Sequence, residues 1–416
     1  MTELQDVLAP GGGLRAAYQP IVELASGAVV GYEALARGPV GTDLERPDLL
    51  FAAATAAGRL TDLDWACRTV ALTGAHEAGL AGPLALFVNV EPAALGTDAP
   101  EAFAEVAARI GDRLPIVVEF TERALAADPA RLLAAADQVR AQGWGVAVDD
   151  IGAERASLAL MPFLAPDVLK LDLRLVQKRT TVEIAEVVTA VNAQAERTGA
   201  LVLAEGIETP EHEQLARAMG ARLAQGWLYG RPGPLPAGPP AAGPQVVTLD
   251  ASARWRRTET PFELVARSRA VQRSTKPLLV AMSKHLERQA LALGGPAVVA
   301  TSFQHARHFT AATTRRYAAL GASAELVVAL GEEMPRQPVP DVPGLVGVTL
   351  DSGDPVNDEW SIAVVGPHFA GALLARDLGD AGPESERRFD YVVTYDRELV
   401  LTAAGALLRR AVVPQT

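Results

Sequence analysis

Residues 145–172 read GVAVDDIGAERASLALMPFLAPDVLKLD. The segment opens on an apolar run (145–149) that ends in two aspartates. It then crosses an Ala/Leu-rich stretch of helical length and closes on a second apolar run, 168–171. Run, helix, run is the pattern of two parallel strands joined by a crossover helix. Outward from this unit the same rhythm recurs, with apolar runs at 18–22, 28–35, 84–90, 115–120, 201–204 and 223–228. Amphipathic helices are expected over 131–142, 181–199 and 210–218. Strands alternating with helices imply a largely parallel sheet covered on both faces. Eight runs in about 220 residues match an α/β fold of the TIM-like (β/α)8 barrel type, with an open doubly wound sheet as the alternative.

The whole chain is longer than one such barrel. Its 416 residues, 49% hydrophobic and 21% charged, predict two or three domains with ample core material and exclude a mainly disordered chain. No run of about 18 uncharged apolar residues predicts a membrane span. The acidic opening, Met1 to Asp6, does not read as a secretory signal. A single cysteine, Cys67, allows no internal disulfide and suits a reducing, cytoplasmic setting. The net charge of −12 is uneven: residues 1–253 carry 19 basic and 32 acidic side chains, residues 254–416 carry 19 and 18. That acidity argues against a nucleic-acid groove in the first part, so no DNA partner is expected.

The Pro/Gly-rich stretch 231–244 cannot join a helix or a central strand and reads as a semi-rigid spacer. The expected division is a barrel over 1–235, a linker over 236–254 and a second α/β domain over 255–416. That second domain is expected to open with one long helix, from 261 to about 293. Strands are then expected at 297–303, 324–330, 345–349, 361–365 and 391–394, and helices at 311–320, 368–375 and 397–411.

In a (β/α)8 barrel the C-terminal strand ends carry the active site. Here polar groups stand at or near that end of run after run: Glu33, Asn89, Glu119, Asp149 with Asp150, Lys170 and Glu205. A ring of facing carboxylates repels itself unless cations neutralise it. Oxygen ligands with one Asn and no thiol or histidine suit Mg2+ or Mn2+. Adjacent aspartates at a strand end can serve two metals, and a metal pair can clamp both oxygens of a phosphodiester displacement.

These residues, in this order, resemble the EAL family of cyclic di-GMP phosphodiesterases. The resemblance runs through 18–22 (Tyr-Gln-Pro-Ile-Val), Glu33-Ala34-Leu35 with Arg37, 87–92 (Phe-Val-Asn-Val-Glu-Pro) and 119–122 (Glu-Phe-Thr-Glu). It continues through Asp149-Asp150, Lys170-Leu171-Asp172, 204–209 (Ala-Glu-Gly-Ile-Glu-Thr) and 225–230 (Gln-Gly-Trp-Leu-Tyr-Gly). It covers roughly 14–233. It implies a barrel whose first strand runs antiparallel to the rest, and metal-dependent hydrolysis of cyclic di-GMP to the linear dinucleotide pGpG in bacterial second-messenger signalling. It further implies that Glu33, Asn89, Glu119 and Asp149 hold one metal, and that Asp149, Asp150 and Glu205 serve the second. Glu205 would be the general base and Lys170 would orient the attacking water. Gln19, Arg37 and Gln225 match substrate-binding positions, and Glu122 matches the residue that anchors the loop after the aspartate pair. A homodimer through the barrel is also implied.

The sequence departs from the family in that loop. Over 151–158, Gly152, Ala153, Ser157 and Leu158 fit the pattern, but Glu154 and Arg155 stand where the family has glycine and an aromatic. The departure keeps open a second reading: a weak or inactive barrel that binds cyclic di-GMP as an effector or serves as an interaction module. Residues 260–412 resemble the DICT domain, a sensory module associated with diguanylate cyclases and two-component systems. The likeness rests on 262–268, 276–280 and 359–369 and implies regulation by a signal or partner of unknown identity, with an α/β domain used only for dimerisation or docking as the alternative. His305 and His308 read as helix or loop residues, and Cys67 as an inert thiol on a helix.

Overall fold

In the computed structural model the described residues are 3–9, 11–94, 96–121, 128–152, 156–177, 181–236, 247, 259–293, 295–342 and 344–411. They divide into two compact units.

The first is a closed eight-stranded barrel. Its strands are β1 (Arg15–Glu23), β2 (Val29–Arg37), β3 (Ala85–Val90), β4 (Ile116–Thr121), β5 (Gly145–Ile151), β6 (Val168–Leu171), β7 (Leu201–Ala204) and β8 (Leu223–Gln225). All eight expected runs are strands. β2 to β8 pair in parallel, each with the next, and β1 is antiparallel to both β2 and β8. Side chains of alternate residues fill the interior, with Ile21, Val30, Phe87, Val117, Val168 and Leu203 buried together. Val247, which falls within the expected linker, is buried in the same cluster. The connecting helices begin and end where side-chain chemistry dictates. Thr181 caps Val182–Thr198 by accepting from Ile184 N (3.3 Å), and Thr209 caps Pro210–Ala218 by accepting from His212 N (3.3 Å).

The second unit is a seven-stranded mixed sheet in the order β12-β11-β10-β13-β14-β15-β9. Its strands are β9 (Gln272–Thr275), β10 (Val298–His305), β11 (Leu326–Glu332), β12 (Leu345–Thr349), β13 (Glu359–Val365), β14 (Ala370–Asp377) and β15 (Arg388–Thr394). Strands β10 to β12 are parallel, and the remaining pairings are antiparallel. Two sequence expectations are corrected here. The opening is not one helix: Pro261–Ala266, closed at its start by a Thr260–Glu263 capping box, is followed by β9 before the helix Lys276–Leu293 begins. The stretch expected as helix over 368–375 is instead strand β14. It lies between β13 and β15, with Ala372, Leu373, Leu374 and Ala375 buried. Among the described residues no helix is long and apolar enough to cross a membrane.

Candidate active site

Register decides which side chains meet at the C-terminal end of the barrel. Asn89 stands opposite Glu119 across β3 and β4, and Thr121 opposite Asp149 across β4 and β5. Gln19 lies opposite Glu33 across the antiparallel pair β1 and β2. Lys170 rises from β6, and Glu205 follows β7 directly, its N–H bonded to Leu171 O (3.1 Å).

Lys170 stands at the centre of the site, fully buried. Its Nζ lies 2.7 Å from Glu119 Oε1, 2.9 Å from Glu205 Oε1, 3.0 Å from Asp149 Oδ1 and 3.7 Å from Glu33 Oε1. Four of the expected carboxylates are therefore brought together around the expected lysine. Asn89 Nδ2 donates to Glu33 Oε1 (2.9 Å). Gln225 Nε2 donates to Glu33 Oε2 (2.6 Å) and to Gln19 Oε1 (3.0 Å), while Gln19 Nε2 donates to Gly230 O (3.1 Å). Asn89 and Gln225 thus hold Glu33 in one orientation, and Gln19 braces Gln225. Arg37, at the end of β2, is half-buried and donates to Ala36 O (2.7 Å). Glu122 and residues 153–155, with the Glu154 and Arg155 departure, lie outside the described residues.

Successive strand residues normally point to opposite faces, so two adjacent aspartates should not share a site. A bulge resolves this. Val148 pairs with Leu169 and Ile151 with Leu171, so β5 spends one residue more than β6 over the same span. Asp150 takes the extra place at φ 55°, an uncommon left-handed conformation that Asp tolerates better than most residues. Its N–H donates to Asp149 Oδ1 (2.9 Å). Carboxylate oxygens of Asp149, Asp150 and Glu205 then lie within 4.8 Å of one another, the one such grouping of His, Cys, Asp and Glu among the described residues. Glycines hold the flanking turns. Gly152 sits at φ 102°, where an added Cβ would come 2.7 Å from Leu175 Cδ1, and Gly206 sits at φ 65° against Leu173.

The electrostatics show how unevenly one ammonium serves this ring. Burial pushes Glu33 up, but Lys170 and the amides of Gln225 and Asn89 bring it below the ordinary carboxylate range. Burial, reinforced by the charges of Glu33 and Asp149, holds Glu119 well above that range despite Lys170. Burial also pushes Glu205 up to about 8, with Lys170 opposing and Asp149 and Glu33 adding. Asp150 is raised by burial and by Asp149. Burial works against the charged form of Lys170, yet the four carboxylates hold it well above its usual value. The only cation paired with Glu119 among the described residues is Lys170, 2.7 Å from Oε1, and Lys170 is shared with three other carboxylates. Crowded, buried carboxylates and hard-ligand chemistry together suit a divalent cation.

The description "EAL domain" matches residues 2–232, more than half of the chain. The chain belongs to the EAL family. A second match, "Sensory domain in DIguanylate Cyclases and Two-component system" (DICT), covers residues 262–378. Among curated relatives of this EAL protein, the cyclic di-GMP phosphodiesterase RocR of Pseudomonas aeruginosa is 33% identical over 231 residues, 54% of this chain and 58% of RocR. The cyclic di-GMP phosphodiesterase NbdA of the same organism is 32% identical over 230 residues, 53% of this chain and 29% of NbdA. The match thus spans little more than half of one relative and under a third of the other. A manganese/cyclic di-GMP complex of BlrP1 from Klebsiella pneumoniae shares 30% identity over 54% of this chain and 57% of that one, at a TM-score of 0.47.

Elsewhere, Cys67 is partly buried on the helix Leu60–Glu77, where burial and the charge of Asp64 push its thiol up, away from thiolate. His305, expected in a helix or loop, is instead the last residue of strand β10; it accepts from Arg307 N (3.1 Å), and its Nε2 lies 3.3 Å from Glu333 Oε2. Sequence reading also missed Lys284, Arg288 and Arg315, whose helical spacing was the available signal.

Proposed function

We propose that the barrel, over about 1–235, is a divalent-metal-dependent phosphodiesterase that opens cyclic di-GMP to pGpG. The proposal assigns residues 236–254 as a linker and 255–416 as the regulatory DICT-type domain, in a cytoplasmic protein that dimerises through its barrel. The observation that carries it is the convergence of Glu33, Glu119, Asp149 and Glu205 on Lys170, with Asp150 brought in by the bulge.

Glu33, Asn89, Glu119 and Asp149 would hold one Mg2+ or Mn2+, and Asp149, Asp150 and Glu205 a second. Such ions supply charge stabilisation at the phosphoryl oxygens and a more acidic water. This chain's own groups do the rest. Arg37 offers a planar, permanently charged fork to a phosphate, and Gln19 and Gln225 line the approach beside Glu33. Lys170 Nζ would orient the attacking water by donating to it, and Glu205, which bound cations would return to its carboxylate form, would accept the proton that the water loses. The water oxygen bonds to phosphorus, one ring P–O bond breaks, and the departing sugar oxygen takes up a proton. One ring opens to one linear dinucleotide.

The test is incubation of the purified full chain with cyclic di-GMP in Mn2+, in Mg2+ and in chelator, followed by chromatographic separation of products. The proposal expects pGpG only with metal. Tight metal-dependent binding without product would establish the effector reading instead, in which the altered loop at Glu154 and Arg155 leaves a binding barrel that does not turn over.

A further inference from the structure

The helices Lys276–Leu293 and Ala311–Ser323 pack against each other on the sheet of the second unit and leave a groove of about 540 Å3 between them. Its lining departs from the near balance of 19 basic and 18 acidic side chains over residues 254–416: four cationic side chains, Lys284, Arg288, Arg315 and Arg316, stand against one acid, Glu287. Glu287 is buried and already committed. Arg316 holds it through Nε (2.6 Å to Oε2) and Nη2 (3.4 Å to Oε1). That pair is neutral and fixes the two helices together. Lys284, Arg288 and Arg315 are exposed, and none has a hydrogen-bonding or ion-pairing partner among the described residues.

The spacing places these charges around one space. Lys284 and Arg288 are four residues apart, on one face of the first helix, with Leu291 continuing that face. Arg315 stands on the second helix, beside Ala312 and Ala319. Residues 254–416 carry acids about as often as bases, 18 against 19, and here the groove offers none beyond the neutralised Glu287. Three uncompensated cations over an apolar floor suit a ligand with a multiply charged end and an apolar body. The volume falls within the ~300–1,000 Å3 of small-molecule sites.

We propose that this groove binds a phosphorylated small molecule of nucleotide size. Its phosphates lie on Arg288, Arg315 and Lys284, and its apolar part on Leu291, Ala312 and Ala319. Guanidinium groups from two helices can each take a phosphate in bidentate fashion, so an occupied groove cross-links the helices. Lys276–Leu293 packs on β13 and β14, and Ala311–Ser323 on β11 and β12. A bound phosphate would therefore tie the antiparallel part of the sheet to the parallel part.

The test uses the full chain in chelator, so that no metal–carboxylate site contributes, and titrates it calorimetrically with pyrophosphate and with ADP. The expected result is saturable one-site binding of both, tighter for ADP. Arg288→Glu and Arg315→Glu should each weaken it about tenfold or more, and Arg273→Ala, at an arginine paired with Asp390 outside the groove, should leave it unchanged. The three groove side chains are exposed, and urea melts of each variant confirm folding. Absence of saturable binding by the wild-type chain would overturn the proposal, as would binding that survives both charge reversals. Binding of an acidic peptide with no response to either phosphate compound would equally overturn it, and would mark the groove as a protein-docking surface. None of these outcomes depends on whether the barrel hydrolyses cyclic di-GMP.

Discussion

Both units bury carboxylates, and they treat them differently. In the sheet domain each buried acid has donors of its own: Glu287 takes Arg316, and Glu359 Oε2 accepts from Phe262 N (3.1 Å). In the barrel four carboxylates share Lys170. Buried charge costs least when it is paired and fully bonded. Glu287 meets that condition as an ion pair with Arg316, and Glu359 avoids the cost by favouring its protonated form, so both read as structural. The barrel's acids do not: Glu119 and Glu205 are held above the ordinary carboxylate range, and such crowded acids can ionise together only if a further cation joins Lys170.

The contrast can be broken most sharply at Glu205. Glu205→Ala is expected to lower turnover of cyclic di-GMP by about 10²–10⁴-fold while substrate binding with metal remains measurable, because the lost interaction acts mainly in the transition state. Steady-state rates beside equilibrium binding check this. Wild-type turnover would remove Glu205 from the chemistry.

Lys170→Met asks whether one ammonium really holds the ring. In chelator it is expected to cost about 3–5 kcal/mol of stability, the usual penalty for stripping the partner from buried charge, with Mn2+ returning much of the loss. Urea titrations with and without the ion measure both effects. A variant as stable as wild type without metal would mean that the carboxylates are already neutralised by protons.

On the other side of the comparison, Arg316→Ala strands Glu287. A cost of about 1–3 kcal/mol is expected, with no recovery on adding a divalent ion, since a lone buried acid is no metal site. Recovery by Mn2+ would erase the distinction between the two units.

The smallest effect belongs to Glu359. Burial, with Glu263 adding, pushes its carboxyl up to about 7 from 4.5, against the opposing hydrogen bonds from Thr260 and Phe262. Between those values the folded state holds a proton that the unfolded chain has released. The stabilisation is therefore fully present below pH 4.5 and is lost as pH rises through 7. Glu359→Gln should flatten that decline, by about 1–2 kcal/mol between pH 5 and 8. Parallel slopes for the two proteins would assign the pH dependence to other groups.

The barrel was legible because its strands are short, apolar and buried, and because polar residues mark their ends: Glu119, Asp149 and Lys170 each announce where a run meets the site. β14 was misread because Ala-Gly-Ala-Leu-Leu-Ala has the composition of a helix. Its strand state comes from pairing on both sides with β13 and β15, and tertiary context of that kind overrides local propensity. β9 was missed for a related reason, since its four residues are mostly exposed and gain their conformation from β15. At the site, the residue types were readable but the hydrogen bonds were not. That Gln225 orients Glu33 depends on the antiparallel turn of β1, which brings positions about 190 residues apart side by side.

The bulge in β5 also restricts which residues position 150 can accept. An idealised copy of this barrel, with one residue of β5 for each of β6, would turn one aspartate of the pair outward, into the helix layer, and divide the triad. In the proposed metal site position 150 would be both a ligand and a turn, so a replacement would have to carry an oxygen on a short stem and also accept a left-handed backbone. Asparagine satisfies the geometry but halves the charge contributed by the pair. Glutamate keeps the charge but has a longer stem and tolerates φ 55° less well, and valine or isoleucine would meet strain before any question of ligation arose.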